Sequence, residues 1–147
     1  RLIRKVYFFE SAFDAMAFWQ INHQSMDLSG CLFASTGGSF SDQQITETMA
    51  YYRHAQAVDC FDNDLLGRMY GCRMVCLLEF SVKSLEYSTH DEMVHFELGD
   101  KHFDIAADLV DVETFRAMTG IYGNRVIQEK APDAFKDWNE AVKKEKA

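Results

Sequence analysis

Short apolar runs alternate with amphipathic stretches through the first half of the chain. Residues 2–9, LIRKVYFF, are rich in β-branched and aromatic side chains and read as a buried strand that Glu10 ends. SAFDAMAFWQINHQ (11–24) follows with helix formers, and Ser11 with Asp14 three residues later matches a helix N-cap. GCLFAS (30–35) is a second strand that runs into the loop TGGSFS. Ser41 with Gln44 gives a capping box for a helix over 42–55, QAVDCF (56–61) is a third strand, and a helix over 64–80 follows it. Strand and helix in turn, with short connections, predict an α/β fold: a parallel sheet flanked by helices on both faces.

The period then changes. EMVHFELGDKHFDIA (92–106) is two alternating runs joined by Gly99-Asp100, which predicts an inserted β-hairpin. VETFRAMTG (112–120) reads as a short helix stopped by Gly120, and NRVIQEK (124–130) as a weaker strand. Pro132 is expected to open a last helix over 133–144, with lysines in its final turns.

In a parallel sheet, ligands collect beyond the carboxyl ends of the strands. Glu10 stands at the end of the first strand, and Asp62 and Asp64 at the end of the third. Crowded without a counter-charge, such carboxylates repel, and at least one pKa must rise. A glutamate crowded by two aspartates is expected to gain the raised pKa that acid–base work needs, which points to Glu10. A hard dication relieves the repulsion, because Mg²⁺ takes oxygen ligands from one or two carboxylates, water and substrate phosphate. A lone D-x-D also occurs as a turn or a helix cap; its pairing with Glu10 at matching strand ends is what favours metal.

Composition narrows the class. The 147 residues are 48% hydrophobic and 14% aromatic, enough for one well-filled core. No apolar run reaches a membrane span and no signal-peptide pattern is present, so no membrane partner is expected. Four scattered cysteines do not make a disulfide framework, and the expected setting is cytoplasmic. The first residue is Arg, which suggests a single domain over 1–147 cut from a longer protein. Fifteen basic against 23 acidic residues leave a net charge of −8, so the domain alone is expected to bind nucleic acid weakly.

VYFFESAFDAMAF, FASTGG and AVDCFDNDLLG, in that order, resemble the Toprim domain shared by primases, topoisomerases and related nucleases. Glu10 and Asp14 stand as the family's E-x-x-x-D, and Asp62, Asp64 and Gly67 as its D-x-D-x-x-G. Thr36, Gly37 and Gly38 match the small loop between them. KDWNEAV, with Lys136, Asp137 and Asn139, resembles a segment that follows Toprim domains in primase-like proteins of phages and mobile elements. One departure is Ser11, where the family often has Gly.

The resemblance implies Mg²⁺- or Mn²⁺-dependent phosphoryl transfer on nucleic acid, with DNA, single-stranded DNA included, and nucleotides as partners beside other modules of the same protein. It assigns Glu10, Asp62 and Asp64 to metal and catalysis, and Thr36, Gly37, Gly38 and Lys136 to phosphate. Asp14, Gly67, Asp137 and Asn139 take supporting places. Primase, nuclease of the overcoming-lysogenisation type, and non-catalytic binding module remain open alternatives. A dehalogenase-type phosphatase is set aside, because Leu66 stands where that family has Thr or Val.

Among the other residues, Asp59 is expected in an ion pair or at the sheet edge, and Cys72 and Cys76 in the core rather than on zinc. Phe13, Met16, Phe18 and Trp19 are read as core packing, and Trp138 as the anchor of the last helix. His95 and His102 flank the hairpin turn, facing each other or solvent. Lys143, Lys144 and Lys146 are read as a solvated helix end.

Overall fold

The structure is a computed structural model and describes residues 2–80 and 85–145. Four parallel strands form the central sheet: β1 (Lys5–Phe9), β2 (Cys31–Ser35), β3 (Gln56–Asp59) and β7 (Val126–Gln128), in the order β2-β1-β3-β7. The helices α1 (Ala12–Asn22), α2 (Asp42–Tyr51) and α3 (Leu65–Glu79) connect them as βαβ units. Ser11 and Ser41 cap α1 and α2 as their positions predict, accepting from the Asp14 and Gln44 N–H groups.

Side chains alternate across a strand, so β1 feeds two cores. Val6 and Phe8 pack with Ala57, Val126 and the buried faces of α2 and α3. Tyr7 and Phe9 pack on the other side with Val58, Phe18 of α1 and Trp138 of the last helix. Cys72 and Cys76 are buried in the first core and form no disulfide, as expected.

The predicted hairpin is β5 (Met93–Leu98) with β6 (Lys101–Ala106). A further strand, β4 (Leu85–His90), escapes the sequence pattern and completes a three-stranded antiparallel sheet. Its turn has no glycine: Asp91 and Glu92 hold positive φ of 52° and 61°, so the usual Asn-Gly or Asp-Gly signal is missing. His95 and His102 do not face each other. Cross-strand register sets His95 on Asp104, at 2.5 Å, and His102 on Glu97, at 3.5 Å. Arg68 of α3 donates to the carbonyls of Ala107 (3.3 Å) and Val110 (2.8 Å), which fastens this insertion to the main body.

After β6 come a short 3₁₀ turn (Ala107–Leu109) and α4 (Val112–Thr119), closed by Gly120 at φ 75°. A buried pair, Arg116 with Glu79 at 2.6 Å, locks α4 to α3, and Glu79 also accepts the Val126 N–H at 2.8 Å, which sets the start of β7.

Pro132 does not open the last helix. Residues 132–137 form turns, and α5 spans Trp138–Glu145 with Asp137 accepting the Glu140 N–H as its cap. The turn persists because its carbonyls have other partners, described below. Trp138 anchors α5 as expected, edge-on to Phe18 at 4.9 Å. The apolar stripe of α1 is only partly core: Phe18 is buried, whereas Phe13, Met16 and Trp19 are exposed, Trp19 stacking on His23. The stripe misled because α1 is apolar on nearly every side, so periodicity does not choose a face. Lys143 and Lys144 are exposed, and Lys146 lies outside the described residues.

Candidate metal centre

β1 and β3 are neighbours, so Glu10 and Asp62 leave the sheet side by side. The Asp62 N–H donates to Glu10 Oε2 at 2.9 Å, which fixes the two carboxylates across 52 residues of chain. Glu10 is braced from its other side as well: its carbonyl accepts the Gly38 N–H at 2.7 Å.

The spacing D-x-D-x-x-G has a local cause. Asp64 caps α3, with Oδ1 accepting the Gly67 N–H at 2.9 Å. That fold brings Gly67 so close to Asp62 that a Cβ would stand 2.2 Å from the Asp62 carbonyl oxygen. Backbone cannot move aside as a flexible side chain can, so position 67 excludes every residue but glycine. The motif is therefore a device for tucking α3 beneath Asp62.

Glu10, Asp62 and Asp64 each offer a carboxylate oxygen, and these atoms lie within 4.8 Å of one another. A second group under the same limit joins Asp62 to Asp14 and Asp137. Asp14 is buried and already bound, accepting the Ser11 hydroxyl at 2.8 Å and the Asn139 N–H at 3.1 Å. This explains Ser11: its hydroxyl caps α1 and also holds Asp14. Asn139 contributes its backbone N–H here, and Asp137 serves as the α5 cap.

The Asp62 carboxyl stands well above its ordinary range. Burial first, then the hydrogen bond and negative charge of Glu10, push Asp62 up to about 8. Burial also raises Asp14, offset by its Ser11 and Asn139 bonds. Nearby, the charges of Asp64 and Asp62 raise Lys136, whose ammonium lies 3.7 Å from Asp64.

A pH dependence follows for the metal-free protein. Asp62 titrates at about 8 in the fold against an ordinary value of 3.8, so it favours folding most below 3.8 and loses that contribution as pH rises through about 8. Melting temperature should therefore fall between about pH 5 and about pH 9 in chelator, and fall less in Asp62→Asn. Equal slopes in the two proteins would place the raised carboxyl elsewhere.

The loop of Thr36, Gly37 and Gly38 adjoins Glu10. The Gly37 N–H donates to Ser35 Oγ at 3.2 Å, and the Gly38 N–H donates to the Glu10 carbonyl and braces it. Both glycines sit at positive φ, 74° and 97°. The buried Thr36 hydroxyl has no hydrogen-bond partner among the described residues.

Asn63 and Lys130, which the sequence pattern does not single out, and Asp59, in the ion pair expected of it, brace the surroundings of the centre. Asn63, between the two aspartates, donates its side-chain amide to the carbonyls of Ala131 (3.0 Å) and Phe135 (2.7 Å), and its N–H to the Lys136 carbonyl (2.6 Å). These bonds keep 132–137 out of the helix and bring Lys136 to Asp64. Asp59, fully buried at the end of β3, pairs with Lys130 at 2.9 Å and accepts from Gln128 and the Phe61 N–H. A polar residue between two ligands, as Asn63 is, was the one available signal.

A donor set of three clustered carboxylates suits a hard, oxygen-seeking dication. Compared with protein families, residues 7–94 match the one described as Toprim-like. The chain belongs to the Toprim-like family. No curated protein and no solved structure matches it. The matched stretch runs from β1 into β5 and includes Glu10, the glycine loop and the Asp62–Gly67 motif. Toprim-like membership carries metal-dependent activity related to nucleic acid, with Mg²⁺ the usual ion. Among the described residues, no helix is long and apolar enough to cross a membrane.

Proposed function

We propose that this Toprim-like domain performs Mg²⁺- or Mn²⁺-dependent nucleotidyl transfer on nucleic acid, as the catalytic domain of a primase-like protein of the kind found in phages and mobile elements. The observation that carries this reading is the convergence of Glu10, Asp62 and Asp64 from adjacent parallel strands onto one group of oxygens within 4.8 Å.

In this reading Asp62 and Asp64 hold the metal, which neutralises charge on the phosphoryl oxygens when bound. Glu10 shares the metal or moves the proton of the attacking hydroxyl. Asp64 divides its two oxygens, Oδ1 on the α3 cap and Oδ2 toward Lys136. Lys136 is exposed at the rim and supplies a movable positive charge for a substrate phosphate. Thr36 keeps the place beside the phosphate that the resemblance gives its loop. Gly37 and Gly38 hold Glu10 in place, and Gly67, Asp14, Asp137 and Asn139 support the centre from behind. The protein works in the cytoplasm beside other modules of its own chain, a setting suited to four cysteines that form no disulfide.

Strand cleavage of the overcoming-lysogenisation type is the second reading, favoured by the additional acidic group of Asp14, Asp62 and Asp137. The test uses the full-length protein with Mn²⁺, a single-stranded template and labelled nucleotides. New strands that incorporate label are the expected product. Fragments of the template without incorporation would replace synthesis by cleavage, and neither product would leave a binding module.

A further inference from the structure

Charge is unevenly spread over the chain's net −8, and the end of the sheet opposite Glu10 and Asp62 is basic. There the starts of β1 and β3 and the turn before β7 enclose an open groove of about 560 Å³. Its polar lining is Arg4, Arg53, His54, Gln56, Asn124 and Arg125, without a carboxylate. Arg125 is taken by the backbone, donating to the Ala55 and Met49 carbonyls at 2.7 and 2.8 Å. Arg4, Arg53 and His54 are exposed, and among the described residues their side chains make no hydrogen bond or ion pair. Beyond Arg4 the surface changes sign, because the adjoining 640 Å³ pocket sets Asp27 and Glu129 beside Arg4 and Lys5.

Two aromatic rings accompany these cations. Tyr51, at the end of α2 and two residues from Arg53, is 80% exposed. Tyr122, two residues before Asn124, is 71% exposed. Exposed aromatic rings close along the chain to the residues that line a cationic groove are what unpaired nucleic acid needs: guanidinium forks for phosphates and flat faces for bases. Tyr51 keeps most of its ring in water, although its edge meets Tyr52. A duplex hides its base faces and an acidic peptide has none, so neither would use the tyrosines.

We infer that this pole is a second nucleic-acid surface, which takes a single strand with Arg4 and Arg53 on phosphates and Tyr51 and Tyr122 on bases. It lies about 17 Å of β-strand away from the acidic centre, so it holds a stretch of strand other than the one undergoing reaction. The inference rests on nucleic acid as the ligand of the domain. It does not rest on metal.

The test measures anisotropy of a labelled oligothymidylate about 16 nucleotides long, in chelator, across a salt series. Chelator silences the acidic centre, so failure of the metal reading leaves this outcome unchanged. Wild type should bind weakly at low salt and release as salt rises. Arg4→Ala/Arg53→Ala should weaken binding about tenfold or more and flatten the log–log salt slope by about 1.4, or about 0.7 for each phosphate no longer neutralised. Tyr51→Ala/Tyr122→Ala should weaken binding about tenfold with the slope unchanged, and Tyr51→Trp should restore stacking. Asp62→Asn/Asp64→Asn should not weaken it. The inference is overturned if the arginine pair leaves affinity and slope intact. Equal binding of duplex with no effect of the tyrosines overturns it too, as does displacement by polyglutamate at matched charge.

Discussion

Glu10→Gln should leave the protein folded and reduce any strand synthesis or cleavage by the full-length protein a hundredfold or more, the scale on which acid–base and metal-ligand losses fall. The structure says why folding survives. Glu10 uses one carboxylate oxygen to accept the Asp62 N–H, and its backbone carbonyl to accept that of Gly38. Glutamine keeps both of these acceptors; it loses the charge and replaces the other carboxylate oxygen by an NH₂ donor. Turnover measured with Mn²⁺, beside circular dichroism of the same sample, separates the two effects. Full turnover by a folded Glu10→Gln protein would remove Glu10 from the chemistry.

Lys130→Met should destabilise the fold by about 3–5 kcal/mol, the cost of leaving one partner of a buried ion pair alone. Asp59 has no exposed surface, and Lys130 brings the cation that faces it at 2.9 Å. Asp59 cannot retreat, since Gly71 packs so tightly that a Cβ there would lie 2.2 Å from its Oδ2. The double change Asp59→Asn/Lys130→Met should recover part of the loss, because it removes the uncompensated charge. Urea unfolding of the four proteins in this cycle gives the coupling directly. A single-variant loss under about 1 kcal/mol would mean that the pair is solvated.

These two residues also show what could be read from the sequence and what could not. Glu10, Asp62 and Asp64 were legible because strand ends are local signals, and parallel topology alone carries strand ends to one edge. Ser11, Ser41 and Gly120 were legible for the same reason, each acting within four residues of itself. Lys130 was not. Its partner lies 71 residues earlier, and only the β3–β7 pairing brings the two together. Asn63 holds Ala131 and Phe135 across a similar separation, and this tertiary bond overrides the helix that Pro132 predicts. The raised carboxyl of Asp62 was not legible, because desolvation is its largest cause, and burial is a property of packing that a string of residues does not display. β4 was lost to a turn in which Asp91 and Glu92 adopt a conformation that glycine usually marks.

The central claim is that the carboxylates of Glu10, Asp62 and Asp64 form a divalent-metal centre, and calorimetric or fluorescence melts with and without Mn²⁺ test it most directly. A cation that binds only the folded state raises its melting temperature by mass action, by about 2.7 kcal/mol of stability at a hundredfold excess over its dissociation constant. Wild type should shift upward with Mn²⁺, more at pH 8 than at pH 6, because the ion must displace the proton that Asp62 holds up to about pH 8. Asp62→Asn/Asp64→Asn should melt at the same temperature with or without the ion. An unshifted wild type, or an equal shift in the double variant, would contradict the assignment.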